Sequence, residues 1–340
     1  MLVNAKAGLK QLEFLRDKNA RYFEQNPAAG RYLDKMLNRN IAYVAHEFCN
    51  EHFHPMYFSD VADEMARIGL SYAGSAKVVN NHPDMIVSSR FFEHLEESAD
   101  RTAYETRLSL IRNEFFRRDI YFKGQDVVAE QDRHRLLMDC IPGSVVAEAD
   151  VRRESDAGRH VIRYRGKLYD DLIRIAAAGA LTVKEICGRP EFQGVSADEV
   201  LAALNKLLIG KDFKIFAARA VPAAGQSGGR FRIADAVNRA MLDERLLIDG
   251  KCYVGSRVLG SAIRLSLMRG LALQAIDAVG MSAAAGFMEE ALEGSGQWWP
   301  KHLRGSSSSR ERKAWIEKEL SHFERRWIPR LLRLGIVEAL

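Results

Sequence analysis

The sequence predicts a mainly α protein with small β elements, an α+β chain in which a helical N-terminal domain precedes a winged-helix-like domain and an α-rich C-terminal region. Three observations predict this. Apolar residues recur at helical spacing through most segments, as Val61, Met65 and Ile68 do. Helix-start pairs stand three residues apart at Thr102/Glu105, Thr182/Glu185 and Ser196/Glu199, where a hydroxyl and a carboxylate can each reach the other's backbone N–H. Alternating apolar runs, by contrast, are short, as at Phe213, Ile215 and Ala217.

Residues 4–24 carry Leu9, Leu12, Phe14, Leu15 and Phe23 on a roughly helical repeat, and "NPAAG" breaks the chain after them. A helix around Tyr43, Val44 and Phe48 ends before Pro55, which lacks an N–H and pushes His54 toward extended geometry. The next helix starts at Ser59, with Asp60 in its first turn, and stops at Gly69; "LSYAGSAKV" then reads as a short strand. A helix from Thr102 to Arg118 leads to a strand over Asp119–Lys123. Residues 1–125 thus form one helical domain. Residues 126–159 are polar and broken by "PGS" and "DAG", and read as a linker with a helix near Arg133–Asp139.

Residues 160–230 order as strand, helix ending at Gly179, two capped helices and a strand, which is a winged-helix pattern. Residues 231–340 read as α-rich: an amphipathic stretch through Ile233, Val237, Met241 and Leu246, an extended piece at "CYVGSRVLGSAIRLSLM", then helices at "LALQAIDAVG" and "AAAGFMEEALEG". A last helix carries Trp315, Leu320, Phe323 and Trp327 and is broken by Pro329. "GSSSSR" before it reads as a solvated linker, and Trp298 and Trp299 as aromatics plugging a seam or stacking on a ligand.

Composition excludes several classes. Of 340 residues, 47% are apolar, 50 are basic and 45 acidic, and the net charge of +5 is a weak footprint for a nucleic-acid binder. No apolar run reaches the roughly 18–20 residues a membrane span needs, and charges occupy the centre of the opening segment, so a cytoplasmic protein without membrane contact is expected. Four dispersed cysteines offer neither a disulfide framework nor a zinc ribbon. No nucleophile elbow or cysteine-protease context occurs, and no catalytic residue can be named.

The densest run of reactive side chains is "YVAHEFCNEHFHPMYF", Tyr43–Phe58. Its histidines do not have the i, i+4 spacing of a zincin helix. His46, Cys49 and His52 at i+3 steps would line one stripe if the helix continued, a three-ligand arrangement suited to zinc. The simpler reading makes the histidines helix-end or interface groups.

The run "YVAHEFCNEHFHPMYFSDVADEMARIGLSYAGSAKV" and the later "NEFFRRDIYFKG" resemble the methyltransferase regulatory domain: a Tyr-x-x-His-Glu helix, a Pro-x-Tyr-Phe turn, a helix leading into Gly-Leu-x-Tyr, and a closing Phe-Arg segment. The resemblance spans about residues 30–125. The residues that carry it are Tyr43, His46, Glu47, His52, Pro55, Tyr57, Phe58, Tyr72, Phe116 and Arg117, candidates for family-motif or interface roles. In that family the domain follows an S-adenosylmethionine-binding domain. It is similar to the middle domain of bacterial protein lysine methyltransferases of the rickettsial type, which also carry a winged-helix-like C-terminal domain.

This chain departs from a whole methyltransferase. It lacks the strand, Gly-rich turn and acidic ribose ligand of a class I cofactor site, and Gly225, Gly228 and Gly229 follow a proline rather than a buried strand. No cofactor or metal is therefore expected on this chain, and S-adenosylmethionine is expected only in an associated domain or partner. The expected partners are a methyltransferase catalytic domain, in cis or trans, and a protein substrate. The implied function is a non-catalytic regulatory and substrate-recognition module. The alternative is a winged-helix nucleic-acid-binding regulator, which Asp198 and Glu199 at the start of the reading helix oppose.

Overall fold

The computed structural model describes residues 1–124, 128–158, 160–220, 230–242, 251–295, 299–300, 303 and 308–340. They form two compact units: Met1–Ser71 with Leu95–Leu110, and Tyr72–His94 with Ile111–Leu340. The architecture is mainly helical with small two-stranded sheets.

In the first unit, α1 (Leu2–Asp17), α2 (Arg21–Gln25), α3 (Pro27–Leu37), α4 (Ile41–Phe48) and α5 (Phe58–Arg67) follow in sequence. "NPAAG" does not break the chain. Pro27 is the first residue of α3, where its missing N–H costs nothing and its fixed φ suits a helix. α5 starts one residue before Ser59: the Asp60 carboxylate accepts from the Tyr57 N–H at 3.3 Å, so the acid in the first turn sets the start. Gly69, at φ +76°, closes the helix into β1 (Leu70–Ser75).

Two short helices, α6 (Pro83–Ile86) and α7 (Phe92–Glu96), lead to α8 (Arg101–Arg112). The Thr102/Glu105 box does not form. Asp100, two residues before Thr102, accepts from the Ala103 N–H at 2.8 Å and occupies the capping position, and Glu105 pairs with Arg101 at 2.7 Å. β2 (Asp119–Lys123) has the bounds read from the sequence and pairs with β1.

The stretch read as a linker holds three elements. α9 (Glu130–Asp139) is followed by β3 (Ile141–Ser144) and β4 (Glu154–Asp156). β3 runs antiparallel to β6 (Phe213–Phe216), with Ile141 opposite Phe216, and β4 runs antiparallel to β5 (Val161–Arg163). These pairings are long-range or lie in three-residue strands, too short to show a period of two.

α10 (Lys167–Ala176), α11 (Val183–Cys187) and α12 (Ala197–Ile209) pack Leu172, Ile173, Ile186, Val200, Leu207 and Phe213 into one core. Both predicted capping boxes form here, Thr182 with Glu185 and Ser196 with Glu199. A hydrogen bond from Arg219 at 2.8 Å, then one from the Thr182 N–H at 2.8 Å, hold the Glu185 carboxyl down at about 2 from its ordinary 4.5. A depressed carboxylate contributes stability that is complete above pH 4.5 and is lost as pH falls through about 2. In acid unfolding, Glu185→Gln should therefore lie below the parent protein above pH 4.5 and converge with it near pH 2. A gap that does not change with pH would rule this out.

β7 (Phe231–Ile233) pairs with β10 (Val337–Ala339), and β8 (Lys251–Ser256) with β9 (Ser261–Ser266), both antiparallel. α13 (Ala236–Met241), α14 (Leu267–Val279), α15 (Ala284–Ser295), α16 (Ser309–Arg326) and α17 (Ile328–Arg333) complete the second core. The stripe through Ile233, Val237 and Met241 does not exist: Ile233 is a buried strand residue, and Val237 and Met241 are 69% and 52% exposed. Asp235 caps α13 and rotates Asn238 and Leu242 inward instead. Pro329 opens α17, and Ser308 from the serine run caps α16 with Glu311. Trp299 is buried beside Trp315, while Trp298, Leu246, Gly225, Gly228 and Gly229 lie outside the described residues.

Candidate protein-contact surface

α4 begins at Asn40, whose side chain accepts from the Ala42 N–H at 2.8 Å, and it buries Val44 and Ala45. That choice of buried face leaves Tyr43 46% exposed, with Arg39 over its ring at 5.5 Å. The helix stops at Cys49, where Asn50 donates to the His46 carbonyl and accepts from the His52 N–H, both at 2.9 Å. This Asn-led turn takes His52 off the helix, so the i+3 stripe of His46, Cys49 and His52 does not continue. Among the described residues, no three His, Cys, Asp or Glu side chains are placed to hold a metal.

Phe48 is the hub of an aromatic group, edge-to-face with Tyr32 at 6.1 Å, Tyr43 at 6.3 Å and Phe53 at 6.0 Å. From it the segment through His52, Phe53, Pro55, Met56 and Tyr57 runs exposed, with Tyr57 at 66%. Of the motif residues here, Phe58 alone is buried; His46 is exposed and Glu47 half-buried. Phe58 anchors α5, and its neighbours are presented to solvent.

The motif residues of the second unit are locked together. Arg117 donates to Asp119 at 2.8 and 3.2 Å and to the Tyr72 hydroxyl at 3.1 Å, and Tyr72 meets Tyr121 edge-to-face at 5.8 Å. An Arg held bidentately across two strands positions backbone rather than chemistry. Phe116 next to it is 73% exposed. Sequence reasoning passed over Asn80, Asn81 and Glu114. Asn81 exchanges hydrogen bonds with both backbone groups of Ser75 at 2.8 and 2.9 Å, while Glu114 takes Asn80 at 3.1 Å and Arg112 at 3.0 Å. The Asn-Asn pair after a strand was the available signal.

A cleft of about 520 Å³ in this unit is lined by Lys77, Arg118, Lys211 and Lys214, brought together from separate parts of the chain. Asp156 is a carboxylate on its wall. Each sheet among the described residues has two strands, and the four with defined register are antiparallel.

Residues 40–123 match the model of a family described as a predicted methyltransferase regulatory domain. An uncharacterized protein of Synechocystis sp. is 24% identical over 332 residues, covering 96% of this chain; the chain spans 64% of that relative's length. The fold is similar to PKMT2 from Rickettsia typhi, with a TM-score of 0.62 at 13% identity over 97% of this chain and 69% of that one. The same protein in complex with AdoHcy gives a TM-score of 0.62 at 12% identity over 98% and 68%. No helix among the described residues is long and apolar enough to cross a membrane. Over residues 40–123 the chain therefore carries a segment similar to the methyltransferase regulatory domain.

Proposed function

We propose that the chain is the non-catalytic regulatory and substrate-recognition part of an S-adenosylmethionine-dependent protein methyltransferase and acts through protein–protein contacts. The observation that carries this reading is the exposed aromatic run of the family segment, with Tyr43, Phe53, Met56 and Tyr57 each 46–66% exposed. Contiguous apolar surface of this kind is costly to leave in water, and aromatic residues are the usual anchors of an interface. The cofactor then sits in an associated domain, in the same polypeptide or a partner. The fit of this chain to part of the cyanobacterial relative supports that arrangement. In this reading α10–α12 and β6 form a winged-helix-like platform for protein.

Tyr57→Ala should leave the unfolding temperature unchanged and weaken association with the cofactor-binding domain about tenfold, as loss of a central aromatic anchor does. Titration of the two pieces measures it; unchanged affinity would remove this surface from the interface. A nucleic-acid role is the second reading, supported by the cations that line the cleft, Lys77, Arg118, Lys211 and Lys214 beside the Asp212-paired Arg152. It requires duplex DNA affinity that falls steeply with salt, and a flat titration at low salt disposes of it.

A further inference from the structure

At the edge of the C-terminal core of the second unit, the exposed Arg269 and the half-buried Arg330 have no ion pair among the described residues. Arg269, in the first turn of α14, and Arg330, in α17, lie over the Trp327 ring with their central carbons 4.2 and 4.3 Å from its centroid. Trp327 is itself buried and stacked on Phe323 at 6.5 Å, so the ring is a fixed floor. The Arg330 Nε is buried without a hydrogen-bond partner among the described residues. The Arg333 Nε likewise has no partner among the described residues, but its terminal nitrogens donate to three backbone carbonyls.

These groups face a cavity with two lobes, of about 290 and 280 Å³, that share Arg269, His322 and Trp327 as lining. Two of the nearby acids are paired elsewhere. Asp150 is held by Arg326 at 2.7 Å, and Asp212 by Arg152 at 2.8 Å. Glu319 lines one lobe but pairs with neither arginine. α14 opens on the same lobe at Ser266 and Arg269, with no acidic residue in its first turn and no side-chain cap. The positive end of its dipole therefore adds to the two arginines.

Burial, then repulsion from Arg333 and Arg269, pulls the Arg330 guanidinium down to about 10. A half-buried guanidinium whose Nε lacks an acceptor is held at a cost, and a bound anion would offset it. Two uncompensated guanidinium groups match a doubly charged oxyanion, which can take parallel N–H bonds from each; a monoanion would leave one cation unpaired.

We propose that the cavity beside Trp327 is a binding site for a phosphate-class dianion, free or carried on a small molecule, held between Arg269 and Arg330. Asp150 keeps Arg326 at the rim, and Glu319 weakens the site. Binding ties the start of α14 to α17 and so stabilises the C-terminal core.

Thermal unfolding of the full chain with inorganic phosphate, against chloride at matched ionic strength, tests this. Phosphate should raise the midpoint saturably and chloride should not. Arg330→Met and Arg269→Met should each weaken phosphate about tenfold or more, the usual loss for a charge-assisted hydrogen bond. Without phosphate, Arg330→Met should unfold no lower than the parent protein, because it removes a buried unpaired charge while keeping an apolar cover on Trp327. Glu319→Gln should bind phosphate more tightly. Glycerol phosphate binding more tightly than inorganic phosphate would identify a small-molecule ester as the source, and equal affinity the free ion. The proposal is overturned by equal midpoints in phosphate and chloride, or by a phosphate response that survives both arginine substitutions.

Discussion

Gly179→Ala is expected to destabilise the second unit by about 3 kcal/mol or more, from forced overpacking plus a left-handed backbone that a Cβ disfavours. Gly179 sits at φ +68°, and a Cβ placed on it would stand 2.1 Å from the Phe216 ring. A Cβ placed on Gly143, on strand β3, would stand 2.3 Å from the same ring. Phe216 is 4% exposed and is seated between two glycines that exist to admit it. Phe216→Ala should cost a comparable 3–5 kcal/mol by opening a cavity. The two changes should not add. An alanine at 179 fills space that the ring vacates, so the double variant should recover roughly 2 kcal/mol of the sum, leaving the backbone strain. Chemical unfolding of the two single variants and the double variant measures the coupling, and simple additivity would show that the ring and the glycine do not share this space.

The second large effect belongs to Arg333. Its guanidinium donates to the carbonyls of Ala177 at 2.9 Å, Ser144 at 2.7 Å and Val146 at 2.9 Å, stitching α17 to the end of α10 and to β3. Burial pulls its pKa below the ordinary arginine value, yet the three acceptors keep a charged partner in place. Arg333→Met removes the donors and leaves polar oxygens facing an apolar side chain. The expected loss is about 3 kcal/mol, seen as a lower denaturant midpoint with an unchanged slope. Arg333→Lys should recover part of it, since an ammonium keeps the charge without the planar fork. A methionine variant as stable as the parent would mean that water satisfies those carbonyls. Arg330, three residues earlier, gives the opposite expectation on removal, because among the described residues no backbone carbonyl accepts from its Nε and it stands over the Trp327 ring.

Local chemistry was legible where a few adjacent residues decide the outcome. The Thr182/Glu185 and Ser196/Glu199 boxes, the stops at Gly69 and Gly179, and the strand at Asp119–Lys123 follow from side chains that bond within one turn or from backbone angles that favour glycine. The family motif was legible for the same reason, being a short ordered run of residues. Local signals failed where two of them competed. Asp100 displaced Thr102 as a cap, Asp60 placed the start of α5 at Phe58, and Pro27 began a helix where it was read as a break.

Contacts between distant residues decided the rest. The alternation read at Phe213, Ile215 and Ala217 gave way to Phe213 and Phe216 because β6 feeds two cores: Phe213 joins that of α10–α12, and Phe216 that of the C-terminal helices. Strand β3 formed within a polar stretch because β6, about seventy residues away, completes its hydrogen bonds, and β4 pairs locally with β5 in strands too short to read. The motif residues separated into a buried anchor, Phe58, a locked group, Tyr72 with Arg117, and an exposed run from Phe53 to Tyr57. A single sequence carries side-chain identity and near-neighbour spacing, and these determined the helical class, the caps and the regulatory motif. Which aromatic is buried, which arginine finds acceptors and which stays unpaired depend on long-range packing, and only the tertiary structure could decide them.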